Sequence, residues 1–352
     1  MCQTEAKRGK ALRENIDLLA NDVVERQYRL QHGVWERFGA EGRAKSVRDA
    51  RYHLCYLAEA VDFEEPELFF HYIQWCKIVF AHINLPADTL PVTLALMRDA
   101  IGTVLPDAQR SGAYEVLNGA LERFPKMSVE LPSFLPQGEP FASLAQRYLD
   151  LLIRTDRHGA LSLIMDSVRQ GMPVRDVYLK VFQPVQHEVG RLWQMNRLSV
   201  AQEHYCTAAT QFVMAHLYPF VFATEKKDRR LVAACIGGEL HEMGIRMVSD
   251  LFEMEGWQTY YLGANTPIDS IVRMTEEQHA DMVCVSTTLA IHLSLVADLI
   301  HALRGSDRAR RVKVLVGGYP FNVASSLWKR LGADGQAHDA AEAIALAEKL
   351  AA

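Results

Sequence analysis

The stretch Leu231-Val232-Ala233-Ala234-Cys235-Ile236-Gly237-Gly238-Glu239-Leu240-His241-Glu242-Met243-Gly244 decides how this chain is read. Its first six residues form a continuous apolar run, the pattern of a strand buried on both faces. A helical pattern follows over 245–255, so the glycines mark a strand-to-helix turn, where α/β domains place their ligand crevices. The turn presents the imidazole of His241 between two carboxylates, Glu239 and Glu242. It lacks the G-x-G-x-x-G spacing of a dinucleotide site and the Gly-Lys-Ser/Thr of a P-loop. A metal-ligating histidine whose second ring nitrogen is held by a carboxylate fits this pattern. A solvated surface histidine fits it too, and the turn alone leaves both readings open.

Downstream, apolar runs at 231–236, 258–262, 282–286 and 312–316, with a short fifth after Gly332, alternate with amphipathic segments, and a helix over 340–350 closes the pattern. Such alternation predicts a parallel sheet covered on both faces, in flavodoxin-like order. A response-regulator reading fails because no Asp ends the third strand. The motif Glu239-x-His241-x-x-Gly244 resembles the signature of cobalamin-binding domains, which more often begins with Asp. Two later motifs of that family appear in order, Ser286-Thr287-Thr288 after the third strand and Gly317-Gly318 after the fourth. The resemblance implies that His241 is the lower axial ligand to cobalt. It also implies that Ser286, Thr288, Gly317 and Gly318 line the slot for the displaced nucleotide tail.

Upstream, helical patterns at 141–155, 158–170, 174–189 and 199–222 predict a four-helix bundle, with Ser199 and Gln202 placed as a capping box. Within it, Trp193 is followed after nine residues by Glu203-His204. This spacing resembles the upper cap of adenosylcobalamin photoreceptors of the CarH type, in which the tryptophan packs over the adenosyl group and the Glu-His pair lines its pocket. An indole and a carboxylate suit a flat base on a polar ribose. Taken alone, Trp193 also reads as a core residue and Glu203-His204 as an ordinary helix start. One position departs from the family, Gln194 standing where a histidine can take the upper cobalt position. Of the nearby imidazoles, only His187 and His204 remain for that role.

Residues 1–124 read as five helices, at 13–37, 45–63, 65–83, 86–104 and 108–124. No basic recognition helix follows a helix-turn-helix there. The two helices around Tyr52–Tyr56 and Phe69–Cys76 are dense in aromatic residues and histidine, either as a packed core or as a pocket for a flat conjugated molecule. Helical domains ahead of such a cobalamin unit look like photocobilins, which pair cobalamin with biliverdin; Arg48, Arg51, His53 and His71 are the residues that would serve it. Prolines 125, 132, 136 and 140 make a connector, and the run Glu225–Arg230 reads as a charged, solvated hinge.

The expected organisation is therefore α and α/β multidomain: a helical domain (1–124), a linker (125–140), a four-helix bundle cap (141–228) and a flavodoxin-like, Rossmann-type domain (229–352). A net charge of −5 argues against a general nucleic-acid or membrane-surface protein. No apolar run approaches the ~20 residues of a membrane span. Six scattered cysteines without a C-x-x-C pair point to a reducing cytoplasm. Two functions compete. One is a non-enzymatic light sensor carrying adenosylcobalamin and biliverdin. Lacking an output domain after residue 352, it would signal through light-dependent homo-oligomerisation or an unidentified effector. The alternative is a corrinoid methyl carrier of a methyltransferase system. A radical mutase is disfavoured, because no TIM barrel is present to hold substrate.

Overall fold

The computed structural model describes residues 8–135, 138 and 141–351, so Cys2, Pro136 and Pro140 lie outside the described residues. The chain divides into two compact units, the sequence boundary falling between Glu130 and Leu131.

In the second unit, five parallel strands run β1 (Arg230–Ile236), β2 (Gln258–Thr266), β3 (Met282–Ser286), β4 (Lys313–Gly317) and β5 (Gly335–Ala337), in the order β2-β1-β3-β4-β5. Leu231 to Ile236 are all buried, which is why β1 is apolar without alternation. The chain leaves β1 for β2 on one side and returns to β3 on the other. The order therefore reverses at β1, opening a crevice beyond the carboxyl ends of β1 and β3. β2 is longer than the sequence pattern predicts and pairs irregularly with β1 past Ala233, carrying the chain to Asn265 and Thr266 beside the His241 turn.

Helices Phe141–Ile153, Arg157–Arg169 and Val200–His216, with a long helical run from Val174 to Gln194, form a layer against this sheet. Tyr148, Tyr178, Phe182 and Val213 of that layer share one buried cluster with Phe252, Trp257 and the strand residues Leu231, Ala233, Cys235, Cys284 and Leu315. The run from Val174 includes a π-helical turn at Tyr178–Phe182, just before Pro184, whose missing N–H the wider turn accommodates. It continues past residue 189, so Trp193 lies on this helix rather than in a connection. Ser199 caps the next helix as its sequence predicts, its hydroxyl accepting from Gln202 N at 3.2 Å while Gln202 Oε1 accepts from Ser199 N at 2.9 Å. The connector is tied down: buried Glu188 accepts from Phe134 N (2.9 Å) and Ser133 Oγ (3.1 Å). The charged run 225–230 is anchored rather than a free hinge. Lys226 pairs with Glu253, and Lys227 N donates to Gly256 O at 2.7 Å.

Tyr178 Oη donates to Asp250 Oδ2 at 2.9 Å between the helical layer and the helix Met243–Met254. Burial raises the Asp250 carboxyl to about 6, against the pull of Tyr178 and Arg246. A carboxyl whose folded pKa exceeds its unfolded one destabilises the fold once ionised. The penalty is complete above pH ~6 and absent below ~4. Asp250→Asn should therefore gain about 2–3 kcal/mol at pH 8, with the gain closing by pH 4. Urea unfolding at both pH values checks this; an equal difference at the two would contradict it.

In the first unit, the predicted helix 13–37 is instead broken at Asn15 and Gln31, giving Ile16–Leu30 and a short His32–Trp35 turn, and the next helix starts early, at Gly39. The residues expected to hold biliverdin do not converge. Arg51 lies exposed and paired with Asp17, and Arg48 is exposed beside Asp49. His53, two positions after Arg51, faces the opposite side of the helix and is buried, with Nδ1 at 2.8 Å from Tyr72 Oη. Burial pushes the His53 imidazole down to about 4, so it carries no charge for a propionate. His71 lies half-buried on Pro66–His82. The aromatic rings fill one another's space, Tyr72 stacking on Tyr56 at 3.6 Å. No described helix is long and apolar enough to cross a membrane.

Candidate functional site

β1 ends at Ile236, and the chain turns through Gly237–Glu242 before the helix Met243–Met254. Asn265 fixes this turn from β2: its Oδ1 accepts from Gly238 N (2.7 Å) and its N donates to Glu239 O (2.9 Å). Glu239 points inward, with 0% exposure, and His241 outward, its side chain 57% exposed.

Glu239 is the hub. Oε1 accepts from His241 N (3.0 Å) and His241 Nδ1 (2.5 Å). Oε2 accepts from Thr288 N (2.7 Å), Leu289 N (3.0 Å), Thr287 Oγ1 (3.2 Å) and His292 Nδ1 (3.2 Å), all from the segment after β3. Burial alone would raise this carboxyl, but the donors from His241, His292 and the backbone hold it far below the usual carboxylate range. The same hydrogen bond raises the His241 imidazole, with a further electrostatic contribution from Glu203. In the neutral ring an ionised partner on Nδ1 makes that nitrogen the donor and leaves Nε2 with its lone pair. Nε2 has no partner among the described residues.

Glu242 ties the turn to both neighbours, accepting from Tyr261 Oη (2.9 Å) and Ala264 N (3.0 Å) on β2 and from Gln211 Nε2 (2.8 Å) on the helix Val200–His216. Glu203 and His204 lie on the first turns of that helix. Glu203 Oε1 accepts from Thr207 Oγ1 (3.1 Å), while the His204 side chain is 74% exposed. Trp193 is half-buried against the cluster that joins helices and sheet.

Ser286 ends β3 opposite Gly317 of β4, and Thr287 N donates to Gly317 O at 3.1 Å. Gly318 has φ +109°, and a Cβ there would stand 1.9 Å from Thr287 O. Its bareness is required by the neighbouring backbone itself. Gly244 differs, since a Cβ there would meet nothing within 4 Å. The structure places Glu239, His241, Gly244, Ser286, Thr288, Gly317 and Gly318, all named by the sequence reading, at or just beyond the carboxyl ends of β1, β3 and β4. That reading missed His292, Asn265 and the bridging role of Glu242, which no motif spacing marks.

Two B12 binding domain family models match the chain, at residues 229–345 and 144–218. Dimethylamine corrinoid protein 1 of Methanosarcina acetivorans is 32% identical over 172 residues, covering 47% of this chain and 78% of that protein. The chain belongs to the B12-binding corrinoid proteins. Dimethylamine corrinoid protein 3 of the same organism is 28% identical over 211 residues, covering 59% of this chain and 96% of that protein. The solved structure of the Methanosarcina barkeri monomethylamine corrinoid protein shares the fold, with a TM-score of 0.53, at 22% identity over 60% of this chain and all of that one. The cofactor class is a cobalt corrinoid.

These relatives overturn the photoreceptor reading. They are amine corrinoid proteins, not CarH-type receptors or photocobilins, and with that reading go light sensing, biliverdin, light-dependent homo-oligomerisation and a separate signalling effector. The physical reason is that the Glu-x-His-x-x-Gly, Ser-x-Thr and Gly-Gly motifs serve the corrinoid whatever is bound above cobalt. The discrimination rested on Trp193, Glu203 and His204, and His204 faces solvent.

The residues fit a corrinoid. His241 offers a single nitrogen donor, oriented by a buried carboxylate, as a metal-ligating histidine requires. Among the described residues no group of three or more His, Cys, Asp or Glu converges on a metal. One donor suits a metal already held by its macrocycle. Cys55, Cys76, Cys206, Cys235 and Cys284 are free thiols, all but Cys55 buried.

Proposed function

We propose that the protein is a corrinoid methyl carrier working with methyltransferase partners, itself a carrier rather than the catalyst, in a reducing cytoplasm. The observation that carries this reading is the buried Glu239 holding His241 at the switch point, in a chain 32% identical over 172 residues to a dimethylamine corrinoid protein. Bound cobalamin supplies a cobalt centre able to take up and release a one-carbon group. The chain's residues hold and shield that centre. His241 Nε2 would ligate the cobalt, with Glu239 fixing its tautomer. Gly244 leaves room beside it. Ser286, Thr288, Gly317 and Gly318 border the slot for the nucleotide tail. Trp193, Glu203 and His204 would belong to the helical cap over the bound corrinoid. The domain limits proposed are 1–124, 125–140, 141–228 and 229–352, with the third forming a four-helix bundle cap.

His241→Ala should lower cobalamin affinity by more than the about ten- to a hundredfold that losing a ligand's hydrogen-bond partner costs, and remove histidine ligation from the absorbance spectrum. For the carrier reading, wild type is titrated with methylcobalamin and adenosylcobalamin. Methylcobalamin should bind at least as tightly, and its methyl group should pass to a thiol when a corrinoid-dependent methyltransferase is added. A tenfold preference for adenosylcobalamin, with no transfer, would defeat it.

A further inference from the structure

Glu239 Oε2 lies within hydrogen-bond reach of four donors, whereas a carboxylate oxygen offers about two lone-pair positions. Two of the donors are backbone N–H groups fixed by the chain after β3. The third is the Thr287 hydroxyl, which has only one proton and a nearer acceptor in Leu289 O, at 3.0 Å. The fourth is His292 Nδ1. His292 is buried, and its Nε2 edge stands against Gly238, at 3.0 Å from where a Cβ would be. Its ring is thus wedged between the β1 turn and the segment after β3, the two walls of the crevice. It touches the carboxylate on the oxygen opposite the one that holds His241.

A carboxylate is planar and rigid, so a donor that fixes one oxygen fixes where the other points. Without His292, Oε2 would keep Thr288 N and Leu289 N but lose its ring donor, and the terminal torsion of Glu239, which is broad for Glu, would be less tightly fixed. Oε1 would then be held less closely in line with His241 Nδ1. We propose that His292 is a positioning residue for the cobalt-ligating histidine: its Nδ1–H anchors Glu239 Oε2, so that Oε1 keeps His241 in the ligating tautomer and orientation. This inference rests on the reading of His241 as the lower ligand.

The test uses full-length protein carrying ¹⁵N-histidine, loaded with cobalamin and reduced to the cobalt(II) state. Electron paramagnetic resonance reads the axial nitrogen directly. Wild type should show splitting by a protein ¹⁵N; its absence would refute His241 ligation itself, and this inference with it. With ligation present in wild type, His292→Ala should lower cobalamin affinity about tenfold and give a mixed spectrum with a fraction lacking the protein nitrogen. His292→Asn places an amide N–H near the position of Nδ1 and should restore both affinity and splitting. A merely structural role would lower the melting temperature of both variants and leave the splitting intact, which would overturn the proposal. Should His292→Ala not fold, His292→Asn still decides. Loss of ligation in a folded His292→Asn protein would show that the ring wedged against Gly238, and not the Nδ1 donor, matters.

Discussion

Glu239→Ala is expected to cost the apoprotein at least ~4 kcal/mol and to abolish stable cobalamin binding. The side chain is fully buried and accepts from His241 N, Thr288 N and Leu289 N as well as from two imidazoles. Each buried donor left without an acceptor costs roughly 1–3 kcal/mol. Three backbone donors are stranded at once, and the total approaches the ~5–15 kcal/mol that stabilises a typical protein. The ligand is affected as well as the fold, since His241 loses the group that selects its tautomer. Glu239→Gln should fare little better, because whichever way the amide turns, its NH₂ faces donors. Glu239→Asp keeps the charge and should retain a measurable fraction of binding. Urea denaturation and cobalamin titration of the three variants check the order Asp, then Gln, then Ala; equal affinity in all three would contradict it.

Gly318→Ala is expected to be nearly as severe, at about 3 kcal/mol or more, although it adds a single methyl group. The added carbon would lie 1.9 Å from Thr287 O and 2.7 Å from Thr287 C, and the backbone there has φ +109°, which L-residues rarely adopt. Relief requires the segment after β3 to move, and that segment supplies Thr288 N and Leu289 N to Glu239. Damage at the end of β4 should therefore reach His241. Gly244→Ala is the control. It sits in a helix with nothing within 4 Å of the added carbon, so the apoprotein should gain up to ~1 kcal/mol. Cobalamin should nevertheless bind less well if that open space receives the ligand, as the proposed site requires. The two substitutions thus separate a glycine demanded by the fold from one that the fold leaves open. Equal melting temperatures for both variants would refute the distinction.

The sheet and its motif residues were legible because each rests on local pattern. Leu231–Ile236 is apolar throughout, and Ser199 with Gln202 spells its capping box. Helix boundaries read less well where a tertiary contact overrides propensity, as at Asn15 and Gln31, or where a π turn carries a helix through Pro184. At the site, Glu239 and His241 are two residues apart and visible together. His292 and Asn265 are distant in sequence, and only the sheet order β2-β1-β3 brings both onto one turn. The misreading of function has a similar origin. Trp193, Glu203 and His204 have the right spacing for an adenosyl pocket, but spacing along a chain does not say which way a side chain faces.

The π turn at Tyr178–Phe182 has a consequence for how this helix tolerates change. A hydrogen bond closing over five residues instead of four accommodates one extra residue, and each α-helical residue advances the helix by ~100°. Everything after the turn is therefore rotated by that angle relative to an uninterrupted α-helix. Trp193 and Glu188 owe their facing to this phase: Trp193 toward the shared core, Glu188 toward Ser133 and Phe134. Deleting one residue within 178–182 should therefore regularise the helix and leave both side chains facing their partners, whereas deleting one residue within 183–187, with the π turn kept, should turn both away by ~100°. Deleting one residue from an exposed loop would carry no such penalty.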